Sequence, residues 1–459
     1  MILMRKPRSQ AIAIATAVAL SLSSLSYCPA NAQARDGEAW IEDPAENAMD
    51  PRFLEDLATA LEEDQAETGD NAPAGVAQPQ PRAPERNPGT DFRDPNTEDS
   101  LRRLVYELSQ LPSLFSGILG LLGMLGMSGN TMFNPGRDYY GPPVNFPYPV
   151  DESINEVQVL SREVAPSDYP NPEARRLERW TVSSPSMGRV MTVDVRLPKP
   201  DAGPAPIVFM LDGLPAPVTT GWLRVGSGGD FDRVLGDENV TAVFPVDAEA
   251  TLYSDWVNDD PAMGRQKWET FITTELLPLL DAEPSINSNG KHAIGGLSMG
   301  ATGAMHIANQ HPDKFNAVFG ISGCYSTMDP IGGQAAMFIA DTRGAKAENL
   351  WGPIGGPEWR RHDVVLNPEG LRNQAVYLSS ATGALFLEQY YSDTPLRGLV
   401  MGSAMEASTY QCTRDLDKSM RRAGMFHQKV NYRDRGTHNW DTFRVELEPA
   451  WNHIKPALY

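Results

Sequence analysis

The sequence predicts an α/β fold built on a mainly parallel central sheet flanked by helices. Two patterns support this. Between residues 240 and 322 strand-length apolar runs alternate with helical ones, the order that parallel βαβ units produce. The runs themselves, such as Val240–Pro245 and Ile207–Asp212, are apolar on successive residues rather than on alternate ones. Strands covered on both faces have that character.

From the amino terminus, MILMRKPRSQ carries Arg5, Lys6 and Arg8 and no acid, and Ala11 to Leu25 is uncharged. The small-x-small sequence Ala30-Asn31-Ala32 follows. Residues 1–32 therefore read as a cleaved secretory signal peptide, because about fifteen apolar residues are short for a bilayer span. A secreted or cell-envelope location is the expectation. Cys28 lies within this stretch, and the bulky Tyr27 before it argues against lipoprotein processing.

Residues 33–100 hold 18 acids, 5 bases and 8 prolines. So much charge on so little apolar surface predicts a largely disordered acidic arm, with one short helix at 51–64. Residues 101–150 read as an apolar helical or linker segment. Its uncharged run from Leu111 to Gly129 contains Gly117, Gly120, Gly123 and Gly126, which weaken a helix of near-spanning length. Packing on the main domain is its simplest use; covering an apolar groove and peripheral contact with an outer lipid layer are the others.

Residues 151–459 form the expected catalytic domain. Strands are predicted at Val157–Leu160, Val190–Leu197, Ile207–Asp212, Val240–Pro245, His292–Gly296, Asn316–Ser322, Ala375–Ser380 and Lys429–Tyr432. Helices are predicted at Gln266–Leu280, Met299–Asn309, Gly402–Ala423 and Asp441–Ile454. Over the whole chain 39 Lys and Arg face 59 Asp and Glu, a net charge of −20. That balance excludes nucleic acid as the main partner, since such affinity comes from cations neutralising phosphates. No H-E-x-x-H and no paired Cys/His cluster is present, so no metal is expected. After cleavage at Ala32 only Cys324 and Cys412 remain, and an even count in an exported protein predicts a disulfide between them.

The chemistry starts at Gly296-Leu297-Ser298-Met299-Gly300, between an apolar strand and an apolar helix. In G-x-S-x-G the serine sits on a strained strand-to-helix turn that lifts its hydroxyl above the sheet, and the glycines avoid collisions there. Ser298 is the predicted nucleophile. A serine hydroxyl needs a base and an orienting acid, which follow it in the order Ser, acid, His. His427 starts the last strand and His453 lies deep in the last helix. His438 falls in the loop between them, at the end of the sheet where the nucleophile is. The acid is open at this level: Ser380-Ala381-Thr382-Gly383 offers no carboxylate, and Glu388, Asp393, Glu406, Asp415 and Asp417 all remain.

Residues 180–459 resemble the secreted mycolyltransferases of the antigen 85 type. The resemblance rests on Leu211-Asp212-Gly213-Leu214, Tyr253-Ser254-Asp255-Trp256, Lys267-Trp268-Glu269-Thr270-Phe271, Gly296-Leu297-Ser298-Met299 and Gly436-Thr437-His438-Asn439-Trp440, in order. It implies an α/β-hydrolase fold, the triad Ser298, Glu406 and His438, and an oxyanion hole from the backbone N–H groups of Leu214 and Met299. It implies sugar contacts at Asp212 and Trp440, and no cofactor. The implied activity is transfer of a mycolyl group from trehalose monomycolate to trehalose or a cell-wall glycan acceptor through an acyl-serine. A secreted carboxylesterase and a non-catalytic wall-binding protein on the same scaffold are the alternatives. One departure stands out: Pro215 occupies the place of the arginine usual after Asp-Gly-Leu.

Overall fold

The computed structural model describes Tyr106, residues 146–390 and residues 396–459. The chain divides into two units, Met1–Glu107 and Leu108–Tyr459, and the sheet and its helices belong to the second. The signal peptide, the acidic arm with its helix at 51–64 and the run 111–129 lie outside the described residues.

Nine strands form one sheet in the order β1-β2-β3-β5-β4-β6-β7-β8-β9. They are β1 Gln158–Val164, β2 Leu177–Ser184, β3 Arg189–Arg196, β4 Ala205–Leu211, β5 Thr241–Pro245, β6 Ser288–Leu297, β7 Ala317–Ile321, β8 Ala375–Ala381 and β9 Lys429–Arg433. From β5 through β9 the pairings are parallel, and β1, β2 and β3 add an antiparallel edge that joins at β5. The helices are α1 Phe231–Leu235, α2 Trp268–Thr270, α3 Leu277–Ala282, α4 Met299–Gln310, α5 Pro330–Asp341, α6 Ala347–Trp351, α7 Pro357–Arg361, α8 Leu387–Tyr390, α9 Leu396–Arg422 and α10 Trp440–Ile454. A π-helical stretch, Phe271–Leu276, joins α2 to α3. The fold is the α/β-hydrolase type that the sequence predicts.

Strand β4 shows how the sheet is buried. Ile207, Phe209 and Leu211 enter one core, while Val208 and Met210 enter the other. The first core takes Trp268 of α2, Leu277 of α3, Ala301 of α4 and Leu416 of α9. The second takes Phe231 of α1 and the stripe Phe443, Leu447, Ala450, Trp451 and Ile454 of α10, whose spacing keeps one helical face on the sheet. Among the described residues no helix is long and apolar enough to cross a membrane.

Several elements were not visible in the sequence, and β2 and α5 are the longest of them. In β2, Glu178 and Arg179 interrupt the apolar run, yet Leu177, Trp180 and Val182 are buried. Glu178 is satisfied by Arg162 and by the Trp180 indole N–H. In α5, Gly332 and Gly333 conceal the helix by lowering its propensity. Its start is secured by Asp329, whose side chain accepts from the Ile331 and Gly332 N–H groups, and by Pro330 at the first position.

Candidate active site

The parallel strands end on one side of the sheet, and the chemical groups gather there. Ser298 follows β6 and caps α4 with φ 52° and ψ −124°, a conformation that a serine adopts only under strain. The flanking glycines are required by close approach. A Cβ at Gly296 would lie 2.5 Å from the Gly300 carbonyl carbon, and one at Gly300 would lie 2.4 Å from the Asp212 carbonyl oxygen. The turn brings backbone against backbone on both sides of the serine, and only glycine fits.

His438 follows β9, in the loop closed by Asn439. The Asn439 side chain caps α10 by accepting from the Asp441 and Thr442 N–H groups, and the His438 N–H donates to the Gly402 carbonyl at 2.9 Å. The loop is thus fixed on both sides of the imidazole. His438 Nε2 lies 2.8 Å from Ser298 Oγ, and Nδ1 lies 2.8 Å from Glu406 Oε2. With Nδ1–H donating to the carboxylate, Nε2 is left as the acceptor for the serine proton.

Glu406 comes from the interior of α9, not from a strand end. It is fully buried. Its Oε1 accepts from the Ala381 N–H at 2.7 Å and the Ser380 hydroxyl at 3.1 Å, both at the end of β8. The helix therefore delivers a carboxylate to the spot where the sequence after β8 has none. Of the other acids open on the sequence, Asp415 and Asp417 lie further along α9, where Asp415 meets Gln411 and Asp417 meets Arg421 and Gln428. Glu388 lines the cleft without reaching His438 through any hydrogen bond among the described residues, and Asp393 lies outside them.

Leu214 and Met299 both line the space around Ser298. Neither backbone N–H has a hydrogen-bond partner among the described residues, Met299 being the first residue of its helix. Two unengaged amides thus lie beside the Ser298 hydroxyl, the arrangement that an oxyanion hole takes. Two cavities meet at Ser298. One, of about 100 Å³, is walled by apolar side chains including Ile331, Phe338, Ile339 and Met401. The other is a wider cleft of about 520 Å³ whose wall includes Asp212, Arg224, Gln389, Asn439 and Trp440. Trp440 is held edge-on by Trp222, with ring centroids 5.4 Å apart.

The esterase family model matches residues 184–454. The chain belongs to this esterase family. It is 30% identical over 293 residues to the diacylglycerol acyltransferase/mycolyltransferase Ag85A of Mycobacterium leprae, covering 61% of this chain and 82% of that protein. It is also 30% identical over 296 residues to the Ag85B protein of the same description from Mycolicibacterium smegmatis, covering 61% and 85%. The crystal structure of Mycobacterium tuberculosis MPT51 (FbpC1) matches with a TM-score of 0.50 at 24% identity, over 61% of this chain and 97% of that one.

In this esterase Asp212 directly follows β4, buried at the edge of the wide cleft. Burial raises its carboxyl from 3.8 to about 6, against the opposing hydrogen bonds from Thr220 and the Gly221 N–H. The folded state therefore holds the proton more tightly than the unfolded state. The resulting stability is fully present below about pH 4 and is lost as pH rises through about 6. The shift corresponds to roughly 3 kcal/mol. Asp212→Asn is expected to remove this slope. Urea midpoints measured from pH 4 to 7 should show the wild type falling relative to the variant, and parallel curves would refute the assignment.

A second cluster lies at the far end of α4. Glu269, His306 and His362 bring potential ligand atoms within 4.8 Å of one another. The two imidazoles, however, stack at 4.0 Å with an interplanar angle of 19°. Nitrogen lone pairs lie in the ring planes, so parallel rings do not converge on one ion. Arg361 already occupies both oxygens of Glu269, and His311 adds a contact at 2.9 Å. Burial pushes the Glu269 carboxyl up, but His306, His311 and Arg361 together hold it far below the usual carboxylate range. This is an ion-pair network bracing α4, the helix that Ser298 begins, and its geometry does not suit a metal.

Proposed function

We propose that the protein is a serine acyltransferase. It moves a mycolyl-type long acyl group from a trehalose monomycolate-like donor to trehalose or a cell-wall glycan hydroxyl. The observation that carries this reading is the pair of unlike cavities meeting at Ser298, one walled almost wholly by apolar side chains and one whose wall also carries polar and charged groups such as Asp212, Arg224, Gln389 and Asn439. A lipid ester of a sugar divides at its ester bond into the same two parts. The names of the relatives, which describe acyl and mycolyl transfer, point the same way.

In the proposed reaction His438 Nε2 takes the proton of Ser298 Oγ as the oxygen attacks the ester carbonyl. The N–H groups of Leu214 and Met299 receive the oxyanion, each such donor contributing about 3 kcal/mol. Glu406 holds the imidazole in the tautomer that accepts at Nε2 and stabilises the imidazolium that forms. His438 returns its proton to the sugar oxygen, the carbonyl–oxygen bond breaks, and acyl-Ser298 remains. An acceptor hydroxyl then gives its proton to His438 and attacks the acyl carbon, the bond from that carbon to Ser298 Oγ breaks, and His438 returns the proton to Ser298. Asp212 accepts or donates to sugar hydroxyls, and Trp440 offers a ring face to the sugar. Pro215 and Arg224 line the same cleft; Arg224 supplies a guanidinium to the wall where Pro215 has none. Export through residues 1–32, an acidic arm at 33–100, an apolar segment at 101–150 and a catalytic domain at 151–459 belong to the same proposal.

The test supplies an acyl-trehalose donor with and without added trehalose and measures diacyl product against free acid. Transfer predicts that the diacyl product rises with acceptor while free acid falls. Free acid alone at every trehalose concentration would leave hydrolysis as the activity.

A further inference from the structure

We propose that Ser322 is a positioning residue that aligns Glu406 for the reaction, an inference that rests on the triad reading above. Ser322 directly follows β7 and is fully buried. Its hydroxyl donates to Glu406 Oε1 at 2.7 Å, shorter than the 3.1 Å contact from Ser380, whose hydroxyl is also engaged with Thr409 at 3.1 Å. Oε1 thus receives Ser322, Ser380 and the Ala381 N–H, while Oε2 faces His438, with the Thr409 hydroxyl farther off at 3.5 Å.

The need for this arrangement follows from the length of the acid. A glutamate on a helix loses substantial rotamer freedom when it is held in one conformation. Donors converging on one oxygen fix the carboxylate plane and hence the direction of the other oxygen. The residue that provides the shortest side-chain donor is also strained, for Ser322 has φ 53°. A glycine would adopt that conformation without strain. A hydroxyl is retained where the backbone alone would favour its loss.

The same turn supports the nucleophile. The Ser298 N–H donates to the carbonyl of Ile321, the residue before Ser322, at 2.9 Å, and the Ser322 N–H donates to the Ser379 carbonyl at 2.8 Å. One dipeptide at the end of β7 therefore braces the strained backbone of Ser298 and the carboxylate of Glu406. The backbone part of this brace does not depend on the side chain, and a substitution can separate the two.

Ser322→Gly removes the hydroxyl while suiting the backbone, and Ser322→Ala removes it while keeping the strain. Turnover of a soluble model ester and the rate of Ser298 labelling by a fluorophosphonate are measured for each, alone and in the Glu406→Gln background. Loss of a charge-assisted hydrogen bond predicts that kcat and labelling fall about 10- to 100-fold with KM nearly unchanged. Ser322→Gly should melt higher than Ser322→Ala, because it relieves the backbone strain that alanine keeps. In the Glu406→Gln background either change should add less than about twofold, because a residue acting through Glu406 has nothing left to align. Full activity of Ser322→Gly, or an undiminished loss in the Glu406→Gln background, would overturn the proposal. Full activity of Glu406→Gln would overturn the triad reading itself, a distinct result.

Discussion

Replacing Ser298 by alanine is expected to lower kcat by about five orders of magnitude while the protein remains folded. The size of the effect follows from the geometry. Ser298 Oγ is the hydroxyl within 2.8 Å of His438 Nε2, and no acyl-enzyme forms without it. Residual rate would come from the amides of Leu214 and Met299 acting on an attacking water, which is why the loss is large but finite. His438→Ala should lose a similar amount, and the double variant little more than either alone, because the serine and the base act as one unit. Labelling by a fluorophosphonate should vanish in Ser298→Ala, and circular dichroism should show the fold retained. Near-normal turnover in this variant would remove the covalent mechanism altogether.

How far this site was legible depended on where each residue lies along the chain. Ser298 could be found because the constraint on it is local: strand, turn, helix and two glycines occupy consecutive positions, and their collisions are decided within a few residues. His438 could be found because it stands between β9 and α10, both recognisable from their apolar patterns. Glu406 could not be found from spacing. It reaches the end of β8 from within a long helix, and only tertiary packing turns it toward Ala381 and His438. The resemblance placed it, and the geometry brings it to His438. Ser322 gave no signal at all, since an isolated serine after a strand is common and its strained φ is not written in its neighbours. The central strands β4 to β8 were readable from apolar runs, whereas β2 was hidden by charges whose partners lie on another strand and on its own tryptophan.

Removing the Cys324–Cys412 disulfide is expected to cost roughly 4 to 5 kcal/mol of stability, which for a domain of this size corresponds to a fall in Tm of about 10 °C. The bridge closes a loop with a sequence separation of 88, and a loop that long leaves the unfolded chain much freedom to regain when the link is cut. Both cysteines are buried, so the double replacement Cys324→Ser and Cys412→Ser also leaves two hydroxyls in apolar surroundings; Cys324→Ala with Cys412→Ala isolates the link itself. The consequence reaches the site, because the link joins the segment just past Ser322 to the helix that carries Glu406. Without it α9 is held to the sheet by packing and by hydrogen bonds, among them those to Glu406, Ser380 to Thr409 and Tyr432 to Asp417. Activity in the double-alanine variant should therefore decline with temperature before the global transition, while the wild type loses both together. Calorimetry on the wild type with and without reductant, beside the double-alanine variant, provides the check. An unchanged Tm would mean that the unfolded chain gains nothing from the cut, and that burial of the helix alone keeps Glu406 in register with His438.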